Sequence, residues 1–325
     1  MHVLVTGAGG FVGQALVRRL LSDAGATPFP LTRLTAIDQR FGSEAKSWRA
    51  DKRVTLLEGD FADPVLLDSA LAQRTDWVFH LASMPGSLVE REQALGLQVN
   101  LLAPISLLQR LADQQRHENN SPPRVVFASS VAVYGALPNE GAVDESCAVR
   151  PALSYGAHKR MTEILLADLS RQGLLDGVSL RLPGIVARPR SPTGHGSAFM
   201  SDLIRCLMTN EAGEVYDCPV SAQASCWWMS LACCVDNLLH AARLPAAQLQ
   251  AERSLQLPVL TATVGELVAT IEELTGQPAR LRYSPSAQIE TLFGRLPTLT
   301  TPYSRRLGFA DDGNLAHLIR QAVAG

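Results

Sequence analysis

The stretch VLVTGAGGFVG, residues 3–13, decides the fold. An apolar β-rich run, HVLVTG (2–7), passes through Gly7, Gly10 and Gly13 into an amphipathic segment predicted to be helical through about Leu21. Three glycines at this spacing between a strand and a helix have a physical reading. Gly7 permits the tight turn, Gly10 lets the backbone approach a pyrophosphate, and Gly13 lets helix and strand pack closely. Free N–H groups at the helix start, around Phe11 and Val12, then face the phosphates. A glycine-rich turn with no ligand is the alternative. The position directly after an N-terminal strand disfavours it.

Outward from this stretch, apolar strands alternate with amphipathic helices. LTAID (34–38), VTLLEGD (54–60), WVFHLAS (77–83), PRVVFASS (123–130) and VSLRLPGIV (178–186) read as strands. PVLLDSALAQR (64–74), QVNLLAPISLLQRLADQQ (98–115) and YGAHKRMTEILLADLSRQG (155–173) read as helices. Nearly continuous apolar strands separated by helices predict an α/β fold, with a doubly wound parallel sheet covered on both faces. The pattern changes at ARPRSPTGHGS (187–197), which is a loop by its Pro, Gly and Arg content. We therefore expect a dinucleotide-binding domain over 1–187 and a smaller substrate-binding lid over 188–325, with segments within 235–261 returning to the first. In the second part TVGELVATIEELTG (263–276) is a helix with Thr263 as N-cap, Glu266 at the capping-box position and Gly276 as its stop.

Composition narrows the function classes. With 46% apolar and 18% charged residues the chain sustains a sizeable core. A net charge of −2 without charge runs argues against nucleic acid or an anionic membrane as partner. No basic n-region precedes the apolar start and no apolar run reaches membrane-spanning length, so a cytoplasmic protein is expected. The six cysteines form no CxxC pair, and Cys233–Cys234 fall in a helix-like run, SLACCVDNLLHAARL. They read as buried small hydrophobes in a reducing compartment, with neither disulfides nor a metal site. Asn119-Asn120-Ser121 matches a glycosylation pattern that carries no meaning without export.

Asp38 ends the second strand. A carboxylate there accepts hydrogen bonds from an adenosine ribose and repels a 2′-phosphate, so NAD is expected over NADP. Arg40 stands nearby as the residue that would accommodate NADP. Asp60 and Phe61 follow the third strand, beside the expected adenine, and Leu81, Ala82 and Ser83 end the fourth at the ligand edge. FASSVAVYGALP (127–138) places Ser130 at the end of another strand on that edge. Tyr155 and Lys159 are one helical turn apart and share a face. A free phenol titrates near about 10, and a neighbouring ammonium stabilises its phenolate. Tyr155 could then accept a hydroxyl proton while hydride leaves the same carbon, with Ser130 holding the oxygen.

The TGxxGxxG, SSxxxYG and YxxxK patterns together resemble the extended short-chain dehydrogenase/reductase family, the NAD-dependent epimerases and dehydratases, over nearly the whole chain. The resemblance implies a Rossmann sheet, a catalytic set of Ser130, Tyr155 and Lys159, and Asn100 supporting the active-site hydrogen bonds. It also implies cofactor contacts at the glycine loop, Asp38, Asp60, Phe61, residues 81–83, Tyr155, Lys159 and Pro183, and a homodimer built on the helices beginning near Asn100 and Tyr155. A closer resemblance, carried by RLPGIVARPRSPTGHGSAFMSDLIR, CPV and RRLGFADD, is to the D-erythronate dehydrogenase subgroup. It implies oxidation of a sugar acid's 2-hydroxyl to a 2-oxo acid. Arg190, Thr193 and Gly194-His195-Gly196 depart from the subgroup's pattern within the substrate loop.

A carboxylate substrate calls for an arginine or a cluster of donors. Arg188 is the candidate clamp, His195 and Ser197 candidate contacts, and Met84, Pro85 and Gly86 candidate walls; Trp227 and Trp228 read as packing residues. Two alternatives stay open at this point. One is a nucleotide-sugar epimerase or dehydratase on the same scaffold. The other is a non-enzymatic dinucleotide sensor, which would need the glycine loop but not the phenol.

Overall fold

The computed structural model describes residues 1–22, 30–117, 120–138, 141–189, 197–209 and 215–324. Two compact units emerge. The first comprises Met1–Gly135, Val149–Arg181 and Leu238–Leu255; the second comprises Ala136–Ala148, Leu182–Asn237 and Gln256–Gly325. The segment 136–148 thus joins the second unit, and the chain crosses over at 181/182, a few residues before the change in sequence pattern.

The first unit is built on a seven-stranded sheet. Its first five strands in the chain are β1 (His2–Thr6), β2 (Arg33–Asp38), β3 (Val54–Glu58), β4 (Trp77–His80) and β5 (Arg124–Ser130). β1 lies between β2 and β4, with β3 outside β2 and β5 outside β4. All of these pairings are parallel. Strands Asp176–Leu182 and Ser254–Gln256 extend the sheet beyond β5. Every residue of β1 is buried, as a central parallel strand with both faces covered requires. Leu4, Ile37, Val78, Val125 and Phe127 pack against Leu107, Leu108 and Leu111 of helix Ala103–His117 and Leu166 and Leu169 of helix Ser154–Arg171. The strand order reverses between β1 and β4. In an open α/β sheet that is where the carboxyl ends of the strands leave a crevice for ligands.

Three local features differ from the sequence reading. The helix expected over 64–74 stops at Ala70. Two short helices, Gly86–Arg91 and Gln93–Leu97, precede a π-helical turn at Gln98–Leu102, which continues into Ala103–His117. The strand expected over 178–186 is broken at Pro183, because proline offers no N–H to a ladder. Asp176–Leu182 belongs to the seven-stranded sheet, whereas Gly184–Val186 pairs with Ser225–Ser230 in the second unit.

That second unit centres on the three-stranded sheet of Gly184–Val186, Ser225–Ser230 and Leu260–Thr263. Trp227 and Trp228 are fully buried there, and their indole N–H groups donate to the carbonyls of Pro297 and Ala262 at 2.7 and 3.0 Å. The helix Val264–Thr275 carries a complete capping box between Thr263 and Glu266 and ends at Gly276 with φ +66°. All six cysteines are free thiols, and burial pushes those of Cys226 and Cys234 up to about 12.

Candidate active site

The glycine loop is shaped by contacts that leave no room for side chains. Gly7 has φ +72°, and a Cβ there would lie 2.6 Å from the Ala82 nitrogen. A Cβ on Gly13 would lie 2.0 Å from the Gly7 carbonyl oxygen, so the helix α1 (Phe11–Ser22) can start this close to β1 only with glycine at 13. At Gly10 the nearest atom to a Cβ would be the Gly7 oxygen at 3.2 Å, so one side of the loop is open. Gly9, a position the glycine spacing did not single out, would clash with the Arg40 carbonyl at 2.5 Å. Its N–H donates to Asp38 Oδ2 at 2.9 Å, tying the acid at the end of β2 to the loop. Burial pushes the Asp38 carboxyl up, and the backbone N–H groups of Arg40 and Gly9 oppose that shift. An open backbone cradle with a carboxylate beside it fits a dinucleotide: phosphate at the loop, ribose hydroxyls at Asp38.

Leu81 and Ala82 leave β4 on the same edge, with N–H groups donating to the Thr6 carbonyl at 3.1 Å and to Thr6 Oγ1 at 3.3 Å. Ser83 is exposed, and its hydroxyl donates to the amide oxygen of Asn100 at 3.3 Å. Asp60 is exposed and accepts from the Ala62 N–H at 2.9 Å. The Phe61 ring is buried in the core, 5.2 Å from the His80 ring.

Ser130 ends β5, and its hydroxyl caps the turn Val131–Val133 by accepting from the Ala132 N–H at 3.2 Å. The helix bearing Tyr155 abuts that turn. A Cβ on Gly156 would lie 2.3 Å from the Ala132 carbonyl oxygen. Tyr155 is half-buried, with Gly86 against its ring at 3.5 Å from an added Cβ. Lys159 is buried, its Nζ 5.6 Å from the Tyr155 ring centroid and 4.9 Å from that of Phe127. The ammonium donates to the Ala128 carbonyl at 2.8 Å. Burial drives its pKa down to about 7, and the charge of Glu163 works in the opposite direction. Asn100, in the π-helical turn, is buried and clamps the Met84 backbone. It accepts from the Met84 N–H at 2.7 Å and donates to its carbonyl at 2.8 Å.

Residues 3–225 match the NAD dependent epimerase/dehydratase family. The chain belongs to that family. It is 34% identical to D-erythronate dehydrogenase from Cupriavidus necator over 98% of this chain and 97% of the relative. To D-erythronate dehydrogenase from Haemophilus influenzae it is 30% identical over 99% of both. Among solved structures, the nucleoside-diphosphate-sugar epimerase from Agrobacterium tumefaciens superposes with a TM-score of 0.88 at 28% identity, covering 100% of this chain and 94% of that one.

Around this family site lie residues that the sequence reading missed. His80, at the end of β4, is buried with Nδ1 2.6 Å from Thr6 Oγ1 and Nε2 without a hydrogen-bond partner among the described residues. Burial drives its pKa down to about 3, and the Lys159 charge adds to the shift. Glu163 is buried one turn beyond Lys159. It accepts from Ser129 Oγ at 2.6 Å, from Arg181 Nε and Nη2 at 3.0 Å each, and from Arg160 Nη1 at 3.0 Å. Arg181 also donates to the Tyr134 hydroxyl at 3.0 Å. Glu90 accepts from the Ser154 N–H at 2.7 Å and so caps the Tyr155 helix from outside it. Spacing alone could have flagged Glu163, because 155, 159 and 163 form one helical stripe.

Of the substrate candidates, Ser130 and Met84–Gly86 belong to the first unit and Arg188 and Ser197 to the second. A cavity of about 180 Å³ in the second unit is lined by Gly184, Arg188, Ser197, Met200, Ser201 and Asp202. The Arg188 N–H donates to Ser201 Oγ at 2.9 Å. Pro183 is buried beside Gly184. Arg190, Thr193 and His195 fall outside the described residues. Among the described residues no group of His, Cys, Asp and Glu could hold a metal, and no helix is long and apolar enough to cross a membrane.

Proposed function

We propose that this chain is an NAD-dependent dehydrogenase that oxidises the 2-hydroxyl of a small, D-erythronate-like sugar acid to a 2-oxo acid. The observation that carries the chemistry is the buried Lys159 ammonium beside the Tyr155 ring at the ligand edge of the sheet. Full-length similarity to two D-erythronate dehydrogenases supports the substrate class. In this reading Gly7, Gly10, Phe11, Val12 and Gly13 hold the pyrophosphate, Asp38 the adenosine ribose, and residues 81–83 the rest of the cleft wall. When bound, NAD supplies the hydride acceptor. Tyr155 takes the hydroxyl proton, Lys159 stabilises the phenolate, and Ser130 donates to the substrate oxygen as it becomes a carbonyl. Asn100 keeps the Met84–Gly86 backbone, and through it the Tyr155 ring, in place. Arg188 and Ser197 bind the acid's carboxylate, with His195 as a further contact.

The test is a screen of four- to six-carbon sugar acids and of nucleotide sugars, following NADH absorbance. The expected result is continuous NADH formation with one acid series and none with nucleotide sugars, at higher kcat/KM with NAD than with NADP. A preference for NADP would overturn the role given to Asp38. The epimerase reading is favoured by the likeness to the Agrobacterium structure. It predicts product formation from a nucleotide sugar without net NADH. Undiminished turnover in Tyr155→Phe would remove the proposed base. We also infer a homodimer through the helical segments 93–117 and 154–171, where the large apolar side chains of Leu95, Leu102, Met161 and Ile164 are exposed. Sedimentation of the wild type against Ile164→Glu tests it.

A further inference from the structure

Glu163 is a carboxylate with no access to solvent, on the same helical stripe as Tyr155 and Lys159. It has no part in the reaction as derived above. A buried glutamate is costly unless its charge is both hydrogen-bonded and paired, and here it receives four hydrogen bonds. Its partners place it against the catalytic strand. Ser129 binds it, Lys159 binds the Ala128 carbonyl, and Ser130 follows directly in sequence. Three consecutive residues at the end of β5 are thus held by, or stand next to groups held by, one face of one helix.

Lys159 Nζ lies 5.6 Å from the Tyr155 ring centroid, so the loss of one proton from the two groups leaves two possible states. One is a neutral amine beside a phenol, which is no base. The other is an ammonium beside a phenolate, which is. Burial of Lys159 favours the first state. The charged and titratable groups facing Lys159 are Tyr155 and Glu163 on its own helix and His80 on β4, with Arg181 of the neighbouring strand lying behind Glu163. Of these, Glu163 is the one whose charge favours the proton on the amine.

We propose that Glu163 is a positioning residue that selects the ammonium–phenolate state of the Lys159–Tyr155 pair while anchoring the Ser129–Ser130 strand end. This inference rests on Tyr155 being the base. It is therefore tested by a measurement that needs neither substrate nor cofactor. Tyrosinate absorbance is titrated against pH in the apo protein, and the signal of Tyr155 is isolated by subtracting the same variant carrying Tyr155→Phe. In Glu163→Gln the Tyr155 titration should move up by about one pH unit, roughly a tenfold loss of phenolate at a fixed pH. Because Glu163→Gln strands the Arg181 guanidinium, the double variant Glu163→Gln/Arg181→Gln replaces the ion pair by two amides. It should show the same direction of shift. Ser129→Ala removes a hydrogen bond but no charge, and should leave the titration where it is while lowering kcat with little change in KM. A wild-type titration in the folded Glu163 variants would overturn the proposal. So would a shift in Ser129→Ala as large as that in Glu163→Gln. Neither result touches the assignment of the base, which stands or falls on the turnover of Tyr155→Phe.

Discussion

Acidification sets up a conflict at His80. An unfolded chain protonates this imidazole near about pH 6.5. In the folded protein burial holds its pKa down to about 3, with the Lys159 charge adding to the effect. The folded pKa is depressed, so the contribution of the neutral ring is fully present above the unfolded value and is lost as the pH falls from there toward 3. Each unit in that window costs about 1.4 kcal/mol, so a fall from about pH 7.5 to about pH 5 removes about 2 kcal/mol of stability. That is a sizeable share of a typical 5–15 kcal/mol. His80→Phe retains a ring between Phe61 and Phe127 but cannot take a proton, and Thr6 Oγ1 still accepts from the Ala82 N–H. Any packing cost of the substitution is the same at both pH values. Equilibrium urea unfolding followed by circular dichroism should therefore show the wild type losing about 2 kcal/mol more than His80→Phe between the two conditions. Profiles that run parallel to within about half a kcal/mol would refute a neutral, desolvated His80.

Further outcomes follow from single contacts. Gly13→Ala puts a Cβ 2.0 Å from the Gly7 oxygen, so it should cost about 2 kcal/mol in urea unfolding and weaken NADH binding, read by fluorescence, at least about tenfold. Asn100→Ala leaves the Met84 N–H and carbonyl without their side-chain partners, with a loss of about 2 kcal/mol and a lowered kcat. Arg188→Ala should raise KM for the acid by about 10- to 100-fold, the worth of one charge-assisted contact, while KM for NAD stays unchanged.

What was legible in the sequence is what local spacing controls. Gly7 and Gly13 belong to a seven-residue stretch, and Tyr155 and Lys159 are neighbours on a helix wherever that helix packs, so their proximity followed from the residues alone. The capping box at Thr263 and Glu266 is equally local. Contacts between distant segments were not legible. Asn100 was singled out, but nothing in its neighbourhood points to Met84, sixteen residues earlier. Arg181 lies in an apolar strand run, and nothing near it in sequence points to Glu163 and Tyr134, which it binds. Pro183 sits in an apolar run that reads as one strand. Only the ladder shows that its missing N–H divides the run between two sheets. Glu90 caps a helix that begins sixty-four residues later, which no capping signature at Leu153 or Ser154 announces.

Contacts of both kinds set how far a buried lysine holds its proton. Lys159 loses nearly all contact with water, a change that by itself would make it a neutral amine at physiological pH. Four groups from two elements oppose that loss: on β5 the Ala128 carbonyl accepts from it and the Phe127 ring lies within cation–π reach, and on its own helix the Tyr155 ring lies within the same reach and Glu163 supplies the charge. His80 stacks on the same Phe127 ring at 5.6 Å. Two cations against one buried ring would repel each other in a medium that screens poorly. A protein that needs the ammonium must therefore keep the imidazole neutral, and His80, with one ring nitrogen facing Thr6 and the other unpaired among the described residues, is held in that state. The low pKa of His80 and the charge on Lys159 are thus one arrangement. Replacing Lys159 by Met should raise the His80 titration and flatten the acid loss of stability worked out above.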